Sequence, residues 1–140
     1  MERTASITRN TKETQIALSL NLDGKGSYQV DTGIGFFDHM LEGFSRHGFF
    51  DLNIQVKGDL QVDTHHTIED TGIVLGTAIK EAVGEKKGIR RYGSCILPMD
   101  ECLVICAVDL CGRPYLSYES PFTVPRCGDM DTEMVKEFFY

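Results

Sequence analysis

The sequence predicts an α/β protein of internally duplicated half-domains, strands and helices following one another in each. Three observations predict it. Segments with period-two apolar alternation are interleaved with segments of helical period. A strand–turn–strand pattern recurs at an offset of 88 residues. The 140-residue chain, 41% apolar and 25% charged, has ordinary globular composition and enough length to bury one core.

Glu13 to Leu22 alternates cleanly, with Ile16, Leu18, Leu20 and Leu22 on one face and Gln15, Ala17, Ser19 and Asn21 on the other. That is a half-buried strand. Asp23-Gly24-Lys25-Gly26 reads as a hairpin turn, with Tyr28 to Val30 as the returning strand. Gly33 and Gly35 break it, and Phe36, Phe37, Met40, Leu41 and Phe44 then recur at helical spacing. Asp51 to Lys57 alternates again, with Leu52, Ile54 and Val56 inward. Ile68, Thr71, Leu75, Ile79 and Ala82 mark an amphipathic helix that Gly84 and Gly88 bracket at its end. Glu101 to Leu110 is strand-like, Cys111-Gly112-Arg113-Pro114 turns, and Tyr115 to Tyr118 returns.

At the 88-residue offset Glu13 falls on Glu101, Leu22 on Leu110, Gly24 on Gly112 and Lys25 on Arg113. The repeat divides the chain into a first half-domain, 1–90, and the start of a second, 91–140, within one domain overall. The second has its hairpin and a helix start, Asp131 to Tyr140. By the repeat logic about 40–50 residues of it are missing, a second histidine cluster among them.

A net charge of −7 argues against nucleic acid or an anionic membrane as partner. An acidic protein that binds an anion must supply local Arg, Lys or metal charge. No apolar run reaches the length of a transmembrane helix, and Met1-Glu2-Arg3-Thr4-Ala5 holds no signal core. The five cysteines are odd in number and lack zinc-type pairing, so reduced thiols in a cytoplasmic protein are expected, mostly as small core hydrophobes.

The chemistry concentrates in Asp63-Thr64-His65-His66-Thr67-Ile68-Glu69-Asp70. Imidazoles with carboxylates are ligand types for a borderline divalent metal, and the helical pattern that follows puts the cluster at a helix N-terminus. Helix geometry turns neighbours apart but brings i and i+3 or i+4 together. His66 and Glu69 can therefore grip one metal, while His65 diverges toward a second. Asp63 and Asp70 can orient the imidazoles. The plainer alternative is a polar helix start with Asp63 or Thr64 as N-cap. His39 is a further candidate ligand, with Asp38 holding its other nitrogen. His47 is no more than a favourable charge at a helix C-terminus. Glu13 is either a solvated carboxylate at a strand start or a general acid or base. Arg91 and Arg113 suit an anion clamp, and Arg90 reads as exposed loop charge. There is no phosphate-cradling glycine loop, dinucleotide fingerprint or nucleophile elbow.

These motifs resemble those of the imidazoleglycerol-phosphate dehydratase family of histidine biosynthesis. The matching stretches are Arg9 to Glu13-Thr14, Gly33 to Leu41, Asp63 to Asp70, Gly88-Ile89-Arg90-Arg91-Tyr92-Gly93 and Gly112-Arg113-Pro114, in the family's order along the whole chain. The resemblance implies an α+β two-layer sandwich, a duplicated, ribosomal-protein-S5-domain-2-like fold in which each half is a mixed sheet backed by helices. It implies a carbon–oxygen hydro-lyase that dehydrates imidazole-glycerol phosphate to imidazole-acetol phosphate, with the ring ionised as an imidazolate against manganese. It further implies two Mn²⁺ ions per site and a homo-oligomer of 24 subunits. By position, His39 and His65 would ligate one manganese, and His66 and Glu69 the other. Glu13 and Glu69 would act in proton transfer. Glu13, His39, His65 and Glu69 would also meet the substrate, with Arg91 and Arg113 on its phosphate. The family's second-half ligands are absent here, so the chain supplies half of each metal shell. Two other readings stay open: an inactive metal-binding or assembly fragment, and a two-metal phosphoester hydrolase.

Overall fold

A computed structural model describes residues 2–140. The first compact unit comprises residues 1–82 and 116–140, and the second residues 83–115. In the first, β1 (Thr4–Asn10), β2 (Thr14–Asn21), β3 (Tyr28–Asp31) and β4 (Asp51–Gly58) form one sheet in the order β1-β2-β4-β3. β2 is antiparallel to both β1 and β4, whereas β3 runs parallel to β4.

The alternation in β2 and β4 places Ile16, Leu18 and Leu20 beside Leu52, Ile54 and Val56 on one buried face. Helix α1 (Gly35–Gly48) contributes Phe37 and Leu41 to the same core, and α2 (His65–Val83) contributes Ile68, Val74, Leu75 and Ala78. Leu22 is half-buried, at the margin of the core. Each fully buried aliphatic side chain of this set stabilises the fold by about 1.5–3 kcal/mol. α2 ends where expected, with Gly84 at φ 57°, the left-handed conformation that terminates helices.

The first hairpin differs from the expected one. Tyr28 to Asp31 does not return against β2, because both edges of β2 are taken by β1 and β4. Instead β3–α1–β4 is a crossover, the connection that parallel strands require. The glycine-rich loop serves a different purpose. Asp51 Oδ1 accepts from the N–H groups of Lys25 and Ser27, at 2.8 and 2.9 Å. A Cβ at Gly24 would collide with the Asp51 backbone nitrogen. The glycine lets the loop pass under the start of β4 rather than form a two-residue turn.

The second unit is a hairpin of β5 (Tyr92–Met99) and β6 (Cys102–Asp109). Here too the partner differs: β6 pairs with the strand before it, and Tyr115 to Tyr118 is not a strand. The correction strengthens the repeat pattern. Shifted by the sequence offset, β1 and β2 fall on β5 and β6 in one register, Thr4↔Asn21 against Tyr92↔Asp109. The closing bonds correspond as well, Leu22 N to Arg3 O and Leu110 N to Arg91 O, at 2.9 and 3.0 Å.

The contacts divide the chain differently from a boundary at residue 90. Within the first unit, β7 (Arg126–Cys127), β8 (Met130–Asp131) and α3 (Met134–Phe139) bring Met130 and Met134 into the core. Phe138 meets Phe37 edge-on at 5.5 Å between ring centroids. The cysteines are not core residues. All five are free thiols; Cys95, Cys102, Cys106 and Cys127 are exposed and Cys111 is half-buried. Three lie on the β5–β6 hairpin, where every residue is exposed.

Candidate functional site

The loop from β4 into α2 presents the histidine cluster. Thr64 O accepts the first helical bond, from Ile68 N at 3.1 Å. Asp63 Oδ1 accepts from His65 N at 2.8 Å. The capping role foreseen as the plainer alternative is thus real, and it fixes the backbone beneath both imidazoles. The two rings lie 6.0 Å apart between centroids with planes at 76°.

Each ring has a carboxylate neighbour. His65 Nε2 lies 3.8 Å from Glu69 Oε2, one helical turn on. His66 Nδ1 lies 2.9 Å from Asp59 Oδ2. Among the described residues Glu69 leans toward His65 rather than His66, as the i,i+4 relation favours. Donation from the ring to Asp59 raises the His66 pKa above its ordinary value, and the charges of Asp59, Glu13 and Asp63 add to the shift.

The two acids expected to orient the rings are engaged elsewhere. Asp63 caps the helix. Asp70 is buried, accepts from Thr14 Oγ1 and lies 2.5 Å from Arg9 Nη1. Asp59, which sequence reading missed, is the acid that reaches a ring. Its signal lies outside the motif, seven residues before His66, across a turn whose geometry the sequence does not display.

Asp70 ties together the segments that carry two candidate acids. Thr14 follows Glu13 directly, and Asp70 follows Glu69. Glu13 is exposed in the turn between β1 and β2. Its backbone N–H donates to Thr11 Oγ1 at 3.1 Å, as does that of Thr14 at 2.9 Å. The carboxylate of Glu13 is near enough to favour the charged form of His66.

His39 is exposed on the first turns of α1, with its ring 6.5 Å from that of Phe36. Asp38 does not hold its other nitrogen. Asp38 Oδ1 instead accepts from the N–H and hydroxyl of Thr32, at 2.9 and 2.6 Å. His47 sits in the last turn of α1, consistent with a charge at a helix C-terminus. Among the described residues, no group of three or more His, Cys, Asp and Glu side chains converges closely enough to hold a metal. The donors suit a borderline divalent cation in kind.

In the second unit Arg91 forms a two-point pair with Asp109, Nε to Oδ1 at 2.7 Å and Nη2 to Oδ2 at 3.1 Å. Its guanidinium also stacks 4.9 Å over the Tyr92 ring. The guanidinium pulls the Asp109 carboxyl below its ordinary pKa. Arg113 is exposed in the turn after β6. Arg90 lines an open cavity of about 570 Å³ with Tyr92, Ser94 and Asp109 on the same hairpin.

Fold and site together define a class: an α/β protein whose sheet is backed by helices, with a His-His-x-x-Glu cluster opening one of them. The imidazoleglycerol-phosphate dehydratase family profile matches residues 32–140. Imidazoleglycerol-phosphate dehydratases of Lachnoclostridium phytofermentans and Phenylobacterium zucineum are 67% and 59% identical to the chain over 140 residues. Each match covers all of this chain and 71% of the relative. The solved imidazoleglycerol-phosphate dehydratase from Staphylococcus aureus superposes with a TM-score of 0.85 at 39% identity. That match covers 97% of this chain and 74% of the other. IGPD from Pyrococcus furiosus gives 0.79 at 32% identity, covering 95% and 70%. The chain belongs to the imidazoleglycerol-phosphate dehydratase family, the carbon–oxygen lyases that perform this dehydration in histidine biosynthesis, and it is a partial-length version of its relatives. Among the described residues no helix is long and apolar enough to cross a membrane.

Proposed function

We propose that this chain carries part of a manganese-dependent dehydratase site, with the cluster at the start of α2 as its centre. The observation that carries the reading is a carboxylate beside each of two adjacent imidazoles: Glu69, one turn along the same helix, 3.8 Å from His65, and Asp59, in the loop after β4, 2.9 Å from His66. In this reading His39 and His65 would hold one Mn²⁺, and His66 and Glu69 the other, Glu69 turning from its place beside His65, with further ligands needed to fill both shells. Bound Mn²⁺ supplies Lewis-acid stabilisation of negative charge on the substrate's imidazole ring.

The chain's own residues handle protons and position. Glu13 is exposed and its charge acts on His66; in this reading it would take the proton from the carbon bearing the second hydroxyl. Removal of that proton and departure of the hydroxyl beside the ring, protonated to water, give an enol that ketonises. Glu69 assists the proton traffic and also meets the substrate, as do His39 and His65. Arg91 and Arg113 hold the phosphate, for which the planar guanidinium is suited. Arg91 would exchange its pairing with Asp109 for the phosphate oxygens. The protein works in the cytoplasm on a phosphorylated imidazole, with neither nucleic acid nor membrane as partner, as a homo-oligomer of 24 subunits.

Chelation of the intact protein should abolish formation of the ketone product, and added Mn²⁺ should restore it. Full turnover after exhaustive chelation would contradict the reading. Release of inorganic phosphate in place of the ketone would favour the two-metal hydrolase. Metal uptake with neither product would favour an inactive binding fragment.

A further inference from the structure

Asp59 lies outside every motif that marks the site, yet it makes the closest side-chain contact to a cluster imidazole. Its Oδ2 is 2.9 Å from His66 Nδ1. The Asp59 side chain is 16% exposed, and its second oxygen is buried without a partner. A carboxylate so placed is an acceptor only. The bond therefore puts the proton on Nδ1 and leaves the Nε2 lone pair bare.

The surrounding backbone fixes this arrangement. Asp59 opens a turn closed by Val62 N donating to Asp59 O at 2.8 Å. The preceding residue, Gly58, packs its backbone against the first turn of α2, and a Cβ there would overlap the Thr67 hydroxyl. Thr67 follows His66, so the end of β4 and the start of α2 are held in one register. Of the other acids near the cluster, Asp63 accepts from the His65 N–H, Asp70 is taken up by Thr14 and Arg9, Glu69 leans toward His65, and Glu13 acts on His66 through its charge.

We propose that Asp59 is the positioning residue of the site, holding His66 as the Nδ1–H tautomer and aiming its Nε2 at the metal. The second half of this statement rests on the manganese reading above; the tautomer does not. Carboxylates behind ligating histidines typically contribute 10–100-fold to metal affinity.

The test joins two measurements on the intact protein. Nitrogen-15 correlation spectra of the metal-free protein, above the titration of its histidines, should show His66 protonated at Nδ1. Asp59→Ala should shift it toward the Nε2–H form and weaken Mn²⁺ binding by about 10–100-fold. Asp59→Asn, which keeps an acceptor but loses the charge, should retain the Nδ1–H form and fall between the two in affinity. A wild-type His66 protonated at Nε2 overturns the proposal, with no need for any variant to fold. So does a folded Asp59→Ala with unchanged tautomer and unchanged Mn²⁺ affinity. If the wild type shows the Nδ1–H form but binds no Mn²⁺, the manganese reading fails and the tautomer assignment stands.

Discussion

Asp70 sits behind two residues assigned to the chemistry. It accepts from the Thr14 hydroxyl and pairs with Arg9, and it is buried. Removing it strips the buried Thr14 hydroxyl of its carboxylate acceptor, leaving only the Thr11 hydroxyl at 3.2 Å, and leaves a half-buried guanidinium without its counter-charge. Asp70→Ala should lower stability by about 2–4 kcal/mol, measured by urea unfolding. Asp70→Asn should cost less, because the amide oxygen still accepts from Thr14. Either variant should also lower turnover, since Asp70 ties the turn carrying Glu13 to the helix carrying Glu69. At this scale the sequence was most informative where chemistry demands unusual residues together. The cluster on α2 was readable from eight consecutive letters, which offered Asp63 or Thr64 as the helix cap. Asp59 was not, since its role depends on how the chain turns back after β4. Nor was the choice of His65 over His66 as neighbour of Glu69, which i+3 and i+4 spacing both allowed.

Helix α1, which carries His39, illustrates what an element borrows from distant sequence. Ile34 at its N-cap position has no side-chain cap. The cap comes from Asp129, whose two oxygens accept from Gly35 N at 2.8 Å and Phe36 N at 3.2 Å. These bonds hold the Asp129 carboxyl below its ordinary pKa. A lowered carboxyl contributes stability above its unfolded-state pKa and loses it as pH falls through the lowered value. Asp129→Ala should therefore cost about 1 kcal/mol near neutrality, and the gap to wild type should close in strong acid. A constant gap across that range would show that the carboxylate is not the cap. The strands were legible because alternation is local. Their partners were not: β1 and β5 escaped notice, and the loop at Gly24 imitated a hairpin. Pairing depends on which sheet edges remain free, and the Asp51 contact that recruits Gly24 arises only in three dimensions. Gly24→Ala should destabilise the fold by more than the few tenths typical of surface sites, as calorimetry can measure.

On the scale of the whole chain, the repeat and the exposed hairpin belong together. β6 is nearly continuous in apolar residues, a pattern suited to burial on both faces. Yet Ile96, Leu97, Leu103, Val104, Ile105 and Val108 are each at least half exposed. The chain spans 71% of the length of its relatives. A contiguous apolar surface of this kind binds dyes and promotes association. The 140-residue chain should bind a hydrophobic dye strongly, and Val104→Thr with Ile105→Lys should reduce the signal without altering the first unit's melting. In the function proposed above, Glu13 moves a proton beside a manganese site built from α2. The direct measurement is turnover to the ketone by the intact wild type and by Glu13→Gln, with bound Mn²⁺ quantified in both. A loss of about 10²–10⁴-fold in kcat is expected, with manganese retained. Wild-type turnover in Glu13→Gln at full metal occupancy would contradict it.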